Sequence, residues 1–258
     1  MQTERAMAVA KKDMQEVFSS ISIYGPMLGV PLFFAILLPV LTFYVAMYAA
    51  PSLATRIIPQ VAASGTNVKS AAFMAFFSVN VLGPIFLTMP ILTASVIAAD
   101  SFAGEKERKT SEALLATPIT KAELMIGKIL ASFIPTILLT LAVFAIYGSV
   151  TDFLSNKAFG VLVLPTPPWF MMLLTAPLLA IATIGIVVIV SAHAKGIKEA
   201  QQISTLLVLP ILMMPFIAIM NIANMNVVFF AYLIAFLAAA SIIILYVGVK
   251  WFRKEAIL

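Results

Sequence analysis

Apolar residues run through this chain in long blocks, separated by short charged islands. Residues 17–55, 71–99, 129–151 and 200–249 contain no Asp, Glu, Lys or Arg. A helix needs about 20 mostly apolar residues to cross the hydrocarbon core of a bilayer, and each block reaches that length. The first block holds a span near 26–50, the second a span over 71–99 and the third a span over 129–151. A fourth lies near 169–192, once the breaker LPTPP at 164–168 ends the loop before it. Residues 200–249 are too many for one crossing at about 1.5 Å per residue. Asn221, Asn224 and Asn226 sit at the middle of that block and read as a turn, which divides it into spans near 203–220 and 227–249. The expected fold is all-α, a polytopic membrane protein with six transmembrane helices in a single domain over 1–258.

The charged islands orient this array. With six spans both termini share a side, and that side holds Arg5, Lys11, Lys12, Lys106, Arg108, Lys109, Lys121, Lys128, Lys195, Lys198, Lys250, Arg253 and Lys254. The other side holds only Arg56, Lys69 and Lys157. Basic residues collect on the cytoplasmic side of membrane proteins, so both termini are expected in the cytoplasm. The segment before the first span reads as an amphipathic interfacial helix over 1–24, with Met7, Ala10, Met14, Val17, Phe18 and Ile21 on one face. Arg5, Lys11, Lys12, Asp13, Gln15 and Glu16 form the other. It reads either as a topology anchor or as a lever that passes on motion from a cytoplasmic partner. The apolar run behind it is too long for the core of a cleavable signal.

Composition removes whole classes of function. The chain is 62% hydrophobic and 10% charged, with mean hydropathy +1.09, whereas soluble domains carry about 25% charged residues. It has no cysteine, so disulfides and thiolate metal sites are absent. The single histidine, His193, cannot build a zinc site or a Ser/His/Asp set. The net charge of +5 reports basic loops rather than a nucleic-acid partner. The expected spans contain no ionisable side chain, which argues against a proton-coupled transporter or an ion pump. Gly127–Lys128 is followed by Ile129 and has no glycine at the spacing of a phosphate-binding loop, so the chain cannot cradle ATP by that route. Polar positions within the spans are few. Asn80, Thr88, Thr93, Ser95, Ser204 and Thr205 either satisfy helix–helix hydrogen bonds or line a substrate path. Pro84, Pro90, Pro210 and Pro215 are expected to kink spans two and five.

The densest polar island, DSFAGEKERK at 100–109, is held between spans two and three and continues as TSEALLATPIT at 110–120. Thr110 can cap a helix start, Glu112 places negative charge in its first turn and Pro118 stops it. Thr120 with Glu123 three residues on forms a capping box for a further helix that leads into span three. A helix of one or two turns is not stable in water without packing. One carrying Leu114 and Leu115 between charges of both signs suits insertion into a cleft on another protein; a charged loop resting on lipid headgroups is the plainer alternative.

The run from Asp100 to Lys128 and the second loop, SAHAKGIKEAQQ at 191–202, resemble the permease subunits of ABC-2 type exporters, NatB-like permeases among them. The N-terminal helix, the six expected spans and the short tail extend the resemblance over the chain. It implies a dimeric permease, with homodimer expected, in the plasma membrane of a prokaryote. It also implies a separate ABC ATP-binding subunit that holds ATP and Mg, so that this chain is not itself an enzyme and binds no cofactor or metal. By position, the 100–128 segment would carry the coupling helix, with Glu105, Lys106, Arg108, Thr110, Glu112, Leu114, Leu115, Thr117 and Pro118 docking on the ATPase. Lys195, Lys198 and Glu199 would form a smaller second contact. Asn80, Thr88, Ser95, Ser204 and Thr205 would line the path. Only residues 51–70 are available between spans one and two, where related permeases often carry large external domains. Spans rich in Met and Phe suit a hydrophobic or amphipathic cargo. The reading from a different class is a membrane scaffold or assembly factor that recruits a cytosolic partner.

Overall fold

The computed structural model describes residues 3–19, 21–49, 56, 58, 63–108, 119–194, 196–220 and 227–255. These form α1 (Thr3–Ser19), α2 (Ile21–Tyr48), α3 (Thr66–Phe76), a π-helical segment (Phe77–Leu82), α4 (Gly83–Phe86), α5 (Thr88–Glu107), α6 (Lys121–Phe159), α7 (Pro167–His193), α8 (Ile197–Met220) and α9 (Val227–Glu255). No strand occurs among the described residues, as expected where backbone groups in lipid must be satisfied within their own helix. Four stretches of the described residues are long and apolar enough to cross a membrane: Met27–Tyr48, Thr66–Glu107, Ala122–Phe159 and Pro167–Ser191. Helices α8 and α9 cover the positions expected for spans five and six, α9 with a shorter apolar stretch at Ala231–Ile244. The Asn221–Asn226 turn lies outside the described residues.

Helix α5 runs through the middle of the bundle. Ile91, Ala94, Ile97, Ala98, Ala99 and Ala103 are fully enclosed, and α5 packs against α6, α7 and α8. Its alanines let neighbouring backbones come close, which is how helices associate in lipid where apolar burial alone gives no preference for protein over acyl chain. Helix α2 lies at the edge, with Phe33, Ile36, Leu41, Tyr44 and Tyr48 turned outward.

The expected second span is one helical run, Thr66–Glu107, that widens into a π-helical segment near its middle. The π-helical segment over Phe77–Leu82 is followed by the single turn of α4, and α5 begins at Thr88. Pro84 in α4 has no N–H to donate back to the preceding turn, which is the π-helical segment. The fifth expected span does not widen in this way, and α8 continues through Pro210 and Pro215. The third span is longer than expected. Helix α6 takes in Lys128 at one end and Asp152 and Lys157 at the other, and it stops at Gly160, whose φ of 71° is the left-handed cap that glycine tolerates best. Near that cap the Asp152 carboxylate accepts the backbone N–H groups of Val163 (2.9 Å) and Leu164 (2.8 Å), which folds the chain back towards α7.

The N-terminal helix is rotated from the expected orientation. Ala6, Val9, Ala10, Asp13 and Val17 are buried, while Met7 and Phe18 are exposed. This corrects the face assignment: Asp13 belongs to the inner face and Met7 and Phe18 to the outer. The reason is a partner that hydropathy alone cannot see. Helix α1 lies along α6 so closely that a Cβ on Gly127 would come within 2.7 Å of the Ala6 carbonyl oxygen and of Val9 Cβ.

Candidate functional site

Helix α6 begins where the notation of the sequence places it. The Thr120 hydroxyl accepts the Glu123 N–H at 3.3 Å, and the Glu123 carboxylate accepts the Thr120 N–H at 3.0 Å. There is one continuous helix from Lys121, rather than a short one leading into a span. Two turns on, Lys128 points into the junction of α1, α5 and α6, with its side chain 2% exposed. Its ammonium lies 2.8 Å from Glu105 Oε2 and 3.8 Å from Asp13 Oδ2. It also donates to the Ser101 carbonyl and sits 5.3 Å from the centre of the Phe102 ring. The Ser101 hydroxyl donates to Asp13 Oδ2 at 2.6 Å.

A second, more exposed layer lies beside the first. The Arg108 guanidinium reaches Asp100 Oδ1 at 2.7 Å and also pairs with Glu16. The Lys12 ammonium lies 3.5 Å from Asp13, 3.6 Å from Glu16 and 3.9 Å from Glu105. Partial burial pulls the Lys12 pKa down, but the carboxylates of Asp13, Glu105 and Glu16 outweigh this and hold it above its ordinary value. Between the layers is a cavity of about 10 Å³, lined by Asp13, Glu16, Val17, Asp100, Ser101, Glu105 and Arg108, roughly room for one water. No group of three His, Cys, Asp or Glu side chains among the described residues is placed to hold a metal ion.

The end of α5 also reaches the second loop. Glu107 Oε2 accepts the Ile197 N–H at 2.9 Å, at the start of α8, where unpaired amides favour a carboxylate. Lys106 Nζ donates to the Ser191 carbonyl at 3.3 Å, near the end of α7. Thus Glu105, Lys106 and Arg108, expected as docking residues, are each held by a neighbouring helix of the same chain. Lys198 and Glu199 are exposed in the first turn of α8. Thr110, Glu112, Leu114, Leu115, Thr117, Pro118 and Lys195 lie outside the described residues.

Of the residues expected to line a path, several hydrogen-bond to the turn before them in their own span. Asn80 Nδ2 donates to Phe76 O (2.9 Å), Thr88 Oγ1 to Ile85 O (2.6 Å) and Ser95 Oγ to Leu92 O (2.9 Å). Ser204 is enclosed, and Thr205 is partly exposed. A stripe in α6 went unread in the sequence. Ser132, Thr136 and Thr140 recur at intervals of four above Lys128, all enclosed, and each hydroxyl donates to the carbonyl of the residue four before it. That interval was the available signal, since residues four apart share a helix face. No comparable local signal existed for Asp13, because hydropathy assigns any carboxylate to the wet face.

The ABC transporter permease protein NatB of Bacillus subtilis (strain 168) is 30% identical over 143 residues, which cover 53% of this chain and 36% of that protein. The match thus spans about a third of that relative's length. Residues 7–233 match the ABC-2 family transporter protein family, a stretch that runs from α1 into α9. This membrane protein, with its apolar helices and its charged junction next to the 109–118 segment, belongs to the ABC-2 transporter family.

Proposed function

We propose that the chain is the membrane-spanning permease subunit of an ABC exporter. It has six spans with both termini in the cytoplasm, and a second copy completes the translocation path. ATP and Mg are held by a separate ATP-binding subunit, and this chain performs no hydrolysis. The observation that carries the reading is the family match over residues 7–233. The layout at the charged junction supports it. Helix α5 leads without a gap in sequence into 109–118, and the capped start of α6 resumes three residues after it. A partner that grips Leu114 and Leu115 would therefore push on two membrane helices at once. Lys195, Lys198 and Glu199 of the second loop form a second, smaller contact. Spans two and five, through Asn80, Thr88, Ser95, Ser204 and Thr205, supply the path.

Affinity purification from native membranes in mild detergent tests this reading. Recovery of an ABC-type ATPase in near-equal amount with wild-type protein, and its loss with Leu115→Arg while the permease stays in the membrane, is the expected result. A clean preparation with no ATPase and no ATP hydrolysis would overturn it in favour of a scaffold that recruits some other cytosolic protein.

A further inference from the structure

Lys128 is an expensive residue for this position. It is enclosed by three helices, and its charge is balanced by carboxylates from two of them, Asp13 of α1 and Glu105 of α5. A buried ion pair is a poor source of stability, since apolar side chains of similar volume hold helices together as well or better. What the ammonium supplies is register. Its 2.8 Å contact with Glu105 and its bond to the Ser101 carbonyl admit one placement of α5 along α6. The Asp13 carboxylate, shared with the Ser101 hydroxyl at 2.6 Å, admits one placement of α1 on both. Gly127, immediately before Lys128, allows α1 close enough for this to happen. The outer Arg108 and Lys12 layer repeats the connection between α1 and α5.

We propose that Lys128 is a positioning residue that joins α1 to the end of α5 as one mechanical unit, so that displacement of the 109–118 segment moves α1 with it. This rests on the permease reading above. Helix α1 then acts as a lever rather than as a passive anchor, through an internal ion triad and not through lipid.

The chain has no cysteine, so labels can be placed by substitution alone. Met7 on the outer face of α1 and Ile242 on α9, a helix that takes no part in the triad, are both exposed. Spin labels at Met7→Cys and Ile242→Cys, in the permease purified with its co-purifying ATPase, report their separation by double electron–electron resonance, with and without a non-hydrolysable ATP analogue. The expected result is a nucleotide-dependent change in the wild-type background, lost in Lys128→Met although the ATPase remains bound, and regained in Lys128→Arg. The variant Asp13→Asn/Glu105→Gln/Lys128→Met, which leaves no unpaired charge in the triad, is expected to fold and to lose the change as well, and it stands in if Lys128→Met does not fold. No nucleotide-dependent change in wild type with ATPase bound, or a full change in either uncharged background, would overturn the proposal. Failure of wild type to recover any ATPase would instead overturn the permease reading itself.

Discussion

The two ends of α6 pack by different physics. Around Lys128 the helices meet through charge: four carboxylates, a serine and two further cations gather within two layers, drawn from sequence positions as far apart as 12 and 128. Further along, Phe144 and Tyr147 of α6 meet Phe86 of α4 and Trp169 of α7 as an aromatic cluster, with ring centres 4.4 to 6.2 Å apart. There the Tyr147 hydroxyl donates to the Ser78 carbonyl, at 3.3 Å. The charged junction is exacting about the identity of its charged groups. The aromatic cluster is exacting about volume and nearly indifferent to polarity. A protein that must hold one end in a fixed register while the rest tolerates adjustment benefits from that division.

The largest expected effect is at the charged junction. Lys128→Met leaves Asp13 and Glu105 with only the more exposed Lys12 ammonium beside them, a loss of up to about 3–5 kcal/mol for removing one partner of a buried pair, read as a lower unfolding temperature in detergent. Neutralising Asp13 and Glu105 in the same chain should return most of it. If the single and the triple variants unfold alike, the junction is not held by charge. In the aromatic cluster Phe86→Ala removes a fully enclosed ring and should cost about 3 kcal/mol, through lost contacts rather than exposure to water, since the alternative neighbour here is lipid. Phe86→Leu should recover much of that, whereas Lys128→Leu should recover little; equal recovery would erase the distinction.

Gly127→Ala comes next. Its methyl would sit 2.7 Å from the Ala6 carbonyl oxygen, which is backbone and cannot turn aside, so α1 must shift, at about 1–3 kcal/mol. Protease accessibility of α1 should rise in step. The smallest effect is expected from Tyr147→Phe, which keeps the ring and removes one hydrogen bond, about 0.5–1.5 kcal/mol. A larger fall in unfolding temperature there than for Gly127→Ala would show that the aromatic cluster depends on polarity after all.

Much of the helical layout was legible in the sequence, for the reason that lipid imposes a length and a polarity on every segment that crosses it. The first, third and fourth expected spans coincide with α2, α6 and α7, and the Thr120–Glu123 capping box is where its spacing placed it. Boundaries were less legible. Helix α6 extends past its charge-free block at both ends because Lys128 and Asp152 find partners inside the protein, Glu105 for one and the Val163 and Leu164 amides for the other. The π-helical segment at Phe77–Leu82 left no mark beyond Pro84, which sits just after it. At the site, the island from Asp100 to Lys109 stood out because charge is rare in this chain. Its division of labour did not, because whether Glu105 faces a partner or Lys128 depends on where α6 lies.

The sequence by itself determined that this is a helical membrane protein, which segments are apolar enough to enter lipid, and where charge concentrates; those follow from transfer of side chains between water and hydrocarbon, one residue at a time. Only the tertiary structure decided that Asp13 turns inward, that Gly127 lets α1 lie against α6, and that Lys128 binds carboxylates 115 and 23 positions before it. Those are properties of pairs, set by helix packing distances, and a pair distant in the chain leaves no periodic trace for hydropathy to reveal.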